Sequence, residues 1–314
     1  MKSIASAPGK IILFGEHFVV HGTPAILAAI DKRVTVTSTF TENKILKINS
    51  QLGTLEVPIS SSHEKAKSEF KPFIYLANKM INSHQDVNGL EITIDSDIPI
   101  GVGLGSSSAC CVAAAASISG LFKELSSEEI LKMSIEAEKT IFPDTSGADC
   151  TVCTYGGIIE YPSIEKIDNT FGLNLLIANS MIPHNTKNSV EKVNKFKEND
   201  EERFSELCHK ETKLIDEVIV AMKNNDTTTF GLKMSENQKY LEEIQVSNDT
   251  IDGMISSLNE ISLGSKITGA GDGGCIITLV KDENVSKVSA LLGKDKECFS
   301  AKIDTKGVVW KIEK

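Results

Sequence analysis

The chain has 314 residues, of which 40% are apolar and 24% charged, and its net charge is −10. This length is sufficient for two domains or one large domain, and the composition is that of a soluble globular protein. The negative charge argues against a general nucleic-acid binder, whereas a local positive field could still hold an anionic small molecule.

Seven cysteines are scattered along the chain, and their odd number and apolar surroundings predict reduced thiols in an intracellular protein. Cys150 and Cys153 form a C-x-x-C, but no second Cys or His pair follows at zinc spacing, so we expect a buried apolar pair. The sequence shows neither a signal peptide nor a long apolar run, so we expect a cytoplasmic protein without membrane partners.

The first half of the sequence has mainly strand patterns. KIILFGEHFVVHG predicts a strand, a tight turn at Gly15 and a second short strand, and AILAAI and RVTVTSTF continue the alternation. GLEITIDSDIPI predicts a strand up to residue 98, and TVCTYGGIIEY predicts strands joined by a Gly-Gly turn. Helical patterns cover 106–122 and 126–142, and the second of these opens with serine caps and early glutamates.

The composition changes after about residue 165, where helices and strands are mixed. LNLLIANS predicts a strand, residues 186–245 are charged and helical, and KITGAGDGGCIITLV predicts two strands joined by a glycine loop. ENVSKVSALLG predicts a short helix and GVVWKIEK a final strand. This order favours an α+β protein with two domains, at 1–165 and 166–314, over a doubly wound sheet.

The stretch PIGVGLGSSSACC places alternating glycines, Gly101, Gly103 and Gly105, between a predicted strand and a predicted helix. Glycines allow the backbone to approach a ligand closely, and a helix N-terminus offers free N–H groups to a phosphate. The spacing is neither that of a Walker A loop nor that of a Rossmann fingerprint. A plain glycine turn with a serine helix cap remains an alternative.

A second glycine loop lies at 269–274, where four glycines must turn or approach something, although a hairpin would explain them equally well. Near the N-terminus, Lys10, Glu16, His17 and His21 lie close to glycines, and a lysine there could neutralise phosphate. For each of these residues alone, a solvated surface charge is the simpler interpretation.

Two carboxylates follow the first glycine loop (residues 101–108). Glu138 lies late on a predicted helix and Asp149 follows a loop, with Asp144 as a nearby competitor. A loop carboxylate can bind a metal ion or accept the proton of a substrate hydroxyl, but it can also be an ordinary Asx-turn residue.

Together, APGKIILFGEH, PIGVGLGSSSA and KITGAGDGGC, in this order, resemble the GHMP kinase superfamily, named for galactokinase, homoserine kinase, mevalonate kinase and phosphomevalonate kinase. The resemblance implies a two-domain α+β fold. Its β-rich N-terminal domain would contain a left-handed βαβ unit, its C-terminal domain would be an α/β plait, and the active site would lie in the cleft between them. Within the superfamily, GEHFVVHGTPAILAAI and the Glu138–Asp149 spacing resemble the mevalonate kinases.

This resemblance implies that Asp149 accepts the proton of the 5-hydroxyl of mevalonate, while Lys10 keeps Asp149 ionised and contacts phosphate. It implies that Ser107 and Glu138 hold Mg²⁺ and that the loop at 269–274 supports the site. The residues implied to position mevalonate are Glu16, His17 and Thr186. The residues implied to wrap the ATP phosphates are Gly101, Val102, Gly103, Leu104, Gly105, Ser106, Ser107 and Ser108.

Other functions in the same superfamily remain open. A phosphomevalonate kinase, a mevalonate 3-kinase or a mevalonate diphosphate decarboxylase is one group, and a phosphorylated substrate would need more cations than Lys32, Arg33 and Lys187 supply. A non-catalytic ligand sensor on the same fold is another, but the candidate base and metal ligands are all present. Relatives are often dimers, so a homodimer is a further expectation.

Overall fold

The computed structural model describes residues 1–82, 84, 87–168, 173–183, 186–292 and 298–313. The strands are β1 (Lys2–Phe14), β2 (Ala25–Thr41), β3 (Ile45–Ser50), β4 (Gly53–Pro58), β5 (Gly89–Ser96), β6 (Ile158–Tyr161), β7 (Glu165–Ile167), β8 (Leu175–Asn179), β9 (Gly264–Thr268), β10 (Cys275–Leu279), β11 (Cys298–Ala301) and β12 (Val309–Glu313).

The helices are α1 (Lys71–Ile81), α2 (Ser106–Gly120), α3 (Ser127–Glu138), α4 (Ala148–Tyr155), α5 (Thr186–Asn199), α6 (Glu201–Lys223), α7 (Thr227–Glu243), α8 (Asp249–Leu258) and α9 (Val285–Leu291). Short 3₁₀ helices lie at Phe18–His21, His63–Lys65, Ser68–Phe70 and Asp282–Asn284.

The first sheet has the strand order β12-β1-β2-β5-β3-β4, and β6 extends it from β2 with β7 at its edge. Most of its pairs are antiparallel, but β3 and β5 run parallel and are connected through β4 and α1. The long pair β1 and β2 changes register between Pro8 and Gly9, where Gly9 approaches the Leu104 carbonyl. This bend leads β1 to the first glycine loop.

Helix α2 packs against strands β1 and β2 of the first sheet and against helices α3 and α4. Its alanine-rich body is buried, because small side chains let the helix lie close to the sheet. At Gly120 a Cβ atom would come within 2.5 Å of the Ser3 hydroxyl, so only glycine fits there.

The second sheet has the order β11-β8-β10-β9, with α7 packed against β9. The backbones of α7 and β9 come into close contact at Gly231 and Gly264. A Cβ on Gly264 would lie 1.9 Å from the Gly231 carbonyl oxygen. One hydrophobic core joins the two sheets: Phe14 of β1 packs edge-on against Phe230 of α7, with ring centroids 5.4 Å apart.

The structure confirms the α+β class and the strand–glycine loop–strand unit of β9 and β10. The helices predicted at 106–122 and 126–142 are present but shorter, at Ser106–Gly120 and Ser127–Glu138. Cys150 and Cys153 are buried free thiols, as expected. Helices α5, α6 and α7 account for the charged stretch at 186–245.

Two segments predicted as strands are helical. The segment after Gly15 is a 3₁₀ helix and not a second strand, because left-handed Gly15 and His17 (φ 96° and 64°) turn the chain so that the Val19 N–H bonds the Gly15 carbonyl. TVCTY belongs to helix α4 and not to a strand: backbone N–H groups bond carbonyls four residues earlier, and the hydroxyls of Thr151 and Thr154 donate to such carbonyls as well.

The division into domains at residue 165 stays a prediction. Strand β12 at the C-terminal end pairs with β1 in the first sheet, so the two halves of the chain are interleaved there. Among the described residues, no helix is both long and apolar enough to cross a membrane.

Candidate active site

Lys10 and Asp149 form an ion pair at the centre of the candidate site. The Lys10 Nζ lies 3.1 Å from Asp149 Oδ2, and the lysine side chain is 5% exposed whereas the aspartate side chain is 33% exposed. The Lys10 N–H also donates to the Leu104 carbonyl at 3.0 Å, which fastens β1 to the first glycine loop. A buried ammonium therefore holds a carboxylate that solvent or a ligand can still reach.

Asp149 lies in the first turn of α4, which corrects its predicted position on a loop. The residue before this helix, Gly147, is left-handed (φ 80°) and makes no side-chain cap. A carboxylate near a helix N-terminus is stabilised by the helix dipole. Asp149 is thus held by a rigid element and by Lys10.

The first glycine loop has a regular construction in which Gly101, Gly103 and Gly105 all adopt left-handed conformations (φ 75°, 85° and 72°). Val102 and Leu104 between them are buried and anchor the loop in the core. The glycine backbone is therefore left on the outside, where L-side chains would be strained. Gly105 precedes α2 and provides no side-chain cap, so the helix N-terminus is available to an anion.

Glu138 ends α3 and is only 3% exposed. Its two oxygens accept hydrogen bonds from the hydroxyls of Ser108 and Thr145, the second at 2.6 Å. Burial raises the pKa of Glu138, the two hydroxyls oppose that shift, and the nearby charge of Asp149 adds to it.

The hydroxyl that contacts Glu138 is that of Ser108 and not that of Ser107, which is half-buried. The implied Ser107–Glu138 metal pair stays a prediction. Ser108, as a contact of Glu138, and Thr145 were missed; the run of three serines gave no basis for choosing among them.

The late glycine loop (residues 269–274) lies against the first one, since a Cβ on Gly269 would be 3.5 Å from the Gly103 carbonyl oxygen. Asp272 is left-handed in this loop (φ 57°) and pairs with Lys192 of α5 at 2.7 Å. The two glycine loops therefore meet beside the end of β9, and the first of them is bonded to Lys10 within β1.

The Gly-Glu-His turn (residues 15–17) follows β1 directly. Glu16 is fully buried and ion-paired with Lys266, whereas the half-buried ring of His17 bonds the Ala270 carbonyl through Nε2 at 2.8 Å. Burial lowers the pKa of His17 and raises that of Glu16. Glu16 thus contacts the protein interior, and His17 is the more accessible member of the turn.

Two further residues at this turn were missed by sequence reasoning. Lys266 belongs to the quoted KITGAGDGGC stretch, which could have drawn attention to it, but Glu211 lies in a long charged helix without a distinguishing pattern. Thr186 begins α5 and is exposed, and residues 184–185 before it lie outside the described part of the chain.

The donor set near Asp149 suits a hard divalent cation. Carboxylate and hydroxyl oxygens are the protein ligands of Mg²⁺, which keeps several waters and phosphate oxygens and so needs few of them. Glu138, Asp149 and the serines after the first glycine loop offer such oxygens. No group of three or more His, Cys, Asp or Glu side chains arranged for a metal occurs in the described ranges.

Comparison with known proteins agrees with this geometry. The GHMP kinases N terminal domain matches residues 72–157, and the GHMP kinases C terminal domain matches residues 218–292. The mevalonate kinase of Aeropyrum pernix is 32% identical over 96% of both chains, and that of Archaeoglobus fulgidus is 34% identical over 94% of this chain and 98% of its own.

The structure of the Methanococcus jannaschii mevalonate kinase superposes with a TM-score of 0.85 at 30% identity and covers 96% of this chain and 98% of its own. The L. major mevalonate kinase, solved in complex with R-mevalonate, has the same fold at 23% identity with a TM-score of 0.80. Identity above 30% over nearly the full length decides the matter: the chain belongs to the mevalonate kinase family of the GHMP kinases.

Proposed function

We propose that this protein transfers the γ-phosphoryl group of ATP to the 5-hydroxyl of mevalonate. The observation that carries the proposal is the Lys10–Asp149 pair, which lies beside a left-handed glycine loop and whose lysine charge acts on Glu16 of the Gly-Glu-His turn. Such a pair, next to an uncapped helix N-terminus, supplies a base and positive charge in one place.

Phosphoryl transfer needs alignment and charge neutralisation more than covalent help from the protein. Asp149 would orient the acceptor hydroxyl and accept its proton late in the transfer. Lys10, whose ammonium is already desolvated, would hold the Asp149 carboxylate in place and attract the transferring phosphoryl group. The N–H groups at the start of α2 and the glycine backbone before it would bind the remaining phosphate oxygens.

Glu138 and Ser107 are the residues we propose to hold Mg²⁺, with Ser108 and Thr145 orienting the Glu138 carboxylate. A bound Mg²⁺ would supply positive charge to the phosphate oxygens. Burial of Glu138 keeps bulk water away from its carboxylate and fixes its position on α3.

On the acceptor side we propose His17, Glu16 and Thr186 as the residues that position mevalonate. An unphosphorylated acceptor is favoured, because two of the three candidate cations, Arg33 and Lys32, already have partners, whereas Lys187 remains exposed. Arg33 bonds Asp304, Ser6 and Gly307, and Lys32 lies 5.2 Å above the Phe299 ring. A phosphomevalonate kinase would need such cations free for a phosphate group.

A coupled ADP-release assay with mevalonate, phosphomevalonate, homoserine and galactose, measured side by side with Mg·ATP, tests this proposal. We expect turnover with mevalonate and a kcat/KM at least about tenfold lower with each of the others. Preference for phosphomevalonate would identify the protein as a phosphomevalonate kinase, and absence of turnover with every acceptor would favour a non-catalytic ligand sensor.

A cytoplasmic location and a homodimer remain predictions of the sequence.

A further inference from the structure

The Gly-Glu-His turn is held almost entirely by the second half of the chain. The Gly15 N–H donates to Glu211 Oε1 at 2.8 Å, Lys266 pairs with Glu16, and His17 bonds the Ala270 carbonyl. Just before the turn, the Ile12 N–H and carbonyl both bond the Thr268 hydroxyl, at 2.9 and 3.0 Å. Elements β9, α6 and the late glycine loop thus set the position of a segment that belongs to β1.

The charged members of this contact are fully enclosed. Glu16, Lys266 and Glu211 are each at most 1% exposed, which places two carboxylates and one ammonium away from water. Burying such groups is costly, and removal of a single partner leaves an uncompensated charge. An apolar cluster of the same volume would pack the two halves together at a lower cost, so the charges call for a role beyond packing.

We propose that Glu211 and Lys266 are positioning residues for the acceptor site, which fix the Gly-Glu-His turn so that His17 is held ready for the acceptor. This inference rests on the proposed function, in which His17 contacts mevalonate. Glu211 acts through the backbone of Gly15, and Lys266 acts through the carboxylate of Glu16.

The hydrogen bonds of Glu211 are compatible with a protonated Glu211 carboxyl group. Asn237 donates its amide to Glu211 Oε2 at 2.7 Å, while Asn237 Oδ1 and Glu16 Oε2 are buried without a partner. A half-turn of the Asn237 amide would give a protonated Glu211 an acceptor for its proton. Burial, reinforced by the charge of Glu16, raises the pKa of Glu211 to about 7.

The charged and titratable groups that face this cluster come from several elements. Glu211 is near Glu16 and Lys266. Its charge also acts on Tyr240 of α7 and on Cys208 of α6. Lys10 of β1 acts on Glu16 from the catalytic side. Within the turn itself, burial lowers the pKa of His17 and raises that of Glu16. Glu211, whose pKa is about 7, contributes a pH response around neutrality that Glu211→Gln would remove.

The decisive comparison uses Glu211→Ala, Glu211→Gln and Lys266→Met, with Lys233→Met as the control. Lys233 is also paired with two glutamates, Glu217 and Glu236, but on the outer face of α6 and α7. We expect Glu211→Ala and Lys266→Met to raise the KM for mevalonate about tenfold or more and to change the KM for ATP less than about twofold. Lys233→Met should change neither.

Glu211→Gln keeps an acceptor for Gly15 and should restore the KM for mevalonate at neutral pH. In the wild type we expect kcat/KM for mevalonate to fall as the pH rises through about 7, because the ionised Glu211 repels Glu16, and this step should be absent in Glu211→Gln. Equal changes in both KM values, or the same pH step in Glu211→Gln, would overturn the inference.

Hydrogen–deuterium exchange of residues 13–21 gives a readout that does not depend on the substrate. Faster exchange there in Glu211→Ala and Lys266→Met, but not in Lys233→Met or Glu211→Gln, is the expected result. Unchanged exchange in folded Glu211→Ala would contradict the positioning role. If the wild type fails to phosphorylate mevalonate while exchange behaves as expected, the proposed function is wrong and the positioning of the turn stands.

Discussion

At the scale of single residues, the two carboxylates of the candidate site, Asp149 and Glu138, differ in their surroundings. Asp149 remains one-third exposed beside Lys10, whereas Glu138 is enclosed by two hydroxyls, and burial raises its pKa. One carboxylate can therefore meet a substrate, and the other is suited to be held in place near a metal ion.

Ser107 and Ser108 should respond differently to substitution. We expect Ser107→Ala to raise the KM for Mg·ATP about tenfold and to leave the KM for mevalonate nearly unchanged, because the proposed metal ligand is lost. Ser108→Ala should instead lower the free energy of unfolding by about 1.5–3 kcal/mol, since a hydrogen bond to a buried carboxylate is lost. Mg²⁺ titration of the rate and urea unfolding distinguish the two. Identical behaviour of both variants would contradict the assignment of roles.

At the scale of elements, the first glycine loop depends on its backbone conformation and on its distance from Lys10. A Cβ atom on Gly105 would lie 2.5 Å from Lys10 Cγ, whereas one on Gly101 would meet nothing within 4 Å. Both glycines are left-handed, so both substitutions carry a similar backbone strain.

Gly105→Ala and Gly101→Ala form a matched pair that distinguishes the effect of backbone strain from the effect of steric contact with Lys10. We expect Gly105→Ala to lower kcat by about a hundredfold, because the methyl group displaces Lys10 from Asp149. Gly101→Ala should lower kcat by less than about tenfold, with a similar loss of stability from the strained backbone. Steady-state kinetics and thermal unfolding of both proteins check this. Equal kcat values would mean that the position of Lys10 is not critical.

The elements also show where sequence patterns suffice. The alanine-rich helical pattern of α2 and the serine cap with early glutamates at the start of α3 were predicted, and in the structure this cap is a capping box of Ser126 and Glu129. Helix α4 was missed because its threonines favour strands, and in the fold their hydroxyls bond back to the helix instead. The 3₁₀ helix after the Gly15 turn was missed because His17 adopts a positive φ that is uncommon for residues other than glycine.

At the scale of the whole molecule, the candidate active site joins residues from both ends of the chain. The ion pair of Glu16 and Lys266 spans 250 positions in the sequence, and the bond between Gly15 and Glu211 spans 196. A single sequence gives no signal for such distances, since each residue alone fits a solvated surface charge. The motifs indicated the glycine loops and Asp149 as a candidate base, but the buried charges between the two halves could only be seen in the fold.

The stability of the whole protein should depend on pH through Glu211. Its pKa is raised to about 7 in the folded state from an ordinary value of 4.5, so between these pH values the folded protein holds a proton that the unfolded chain has lost. The free energy of unfolding contributed by this group therefore falls as the pH rises through that window, by about 3 kcal/mol at most. Urea unfolding between pH 5 and 8 should show wild type losing stability relative to Glu211→Gln. A constant difference between the two would contradict the burial of an ionisable group here.

The central claim is that Asp149 accepts the proton of the acceptor hydroxyl, and Asp149→Asn tests it most directly. The matched control is Asp144→Asn, which changes an exposed aspartate in the loop before α4. Both variants would be assayed for ADP release with mevalonate and for ATP binding by calorimetry. We predict that Asp149→Asn lowers kcat by at least about a thousandfold with ATP affinity retained, while Asp144→Asn behaves as wild type. Near-normal turnover in Asp149→Asn would contradict the account.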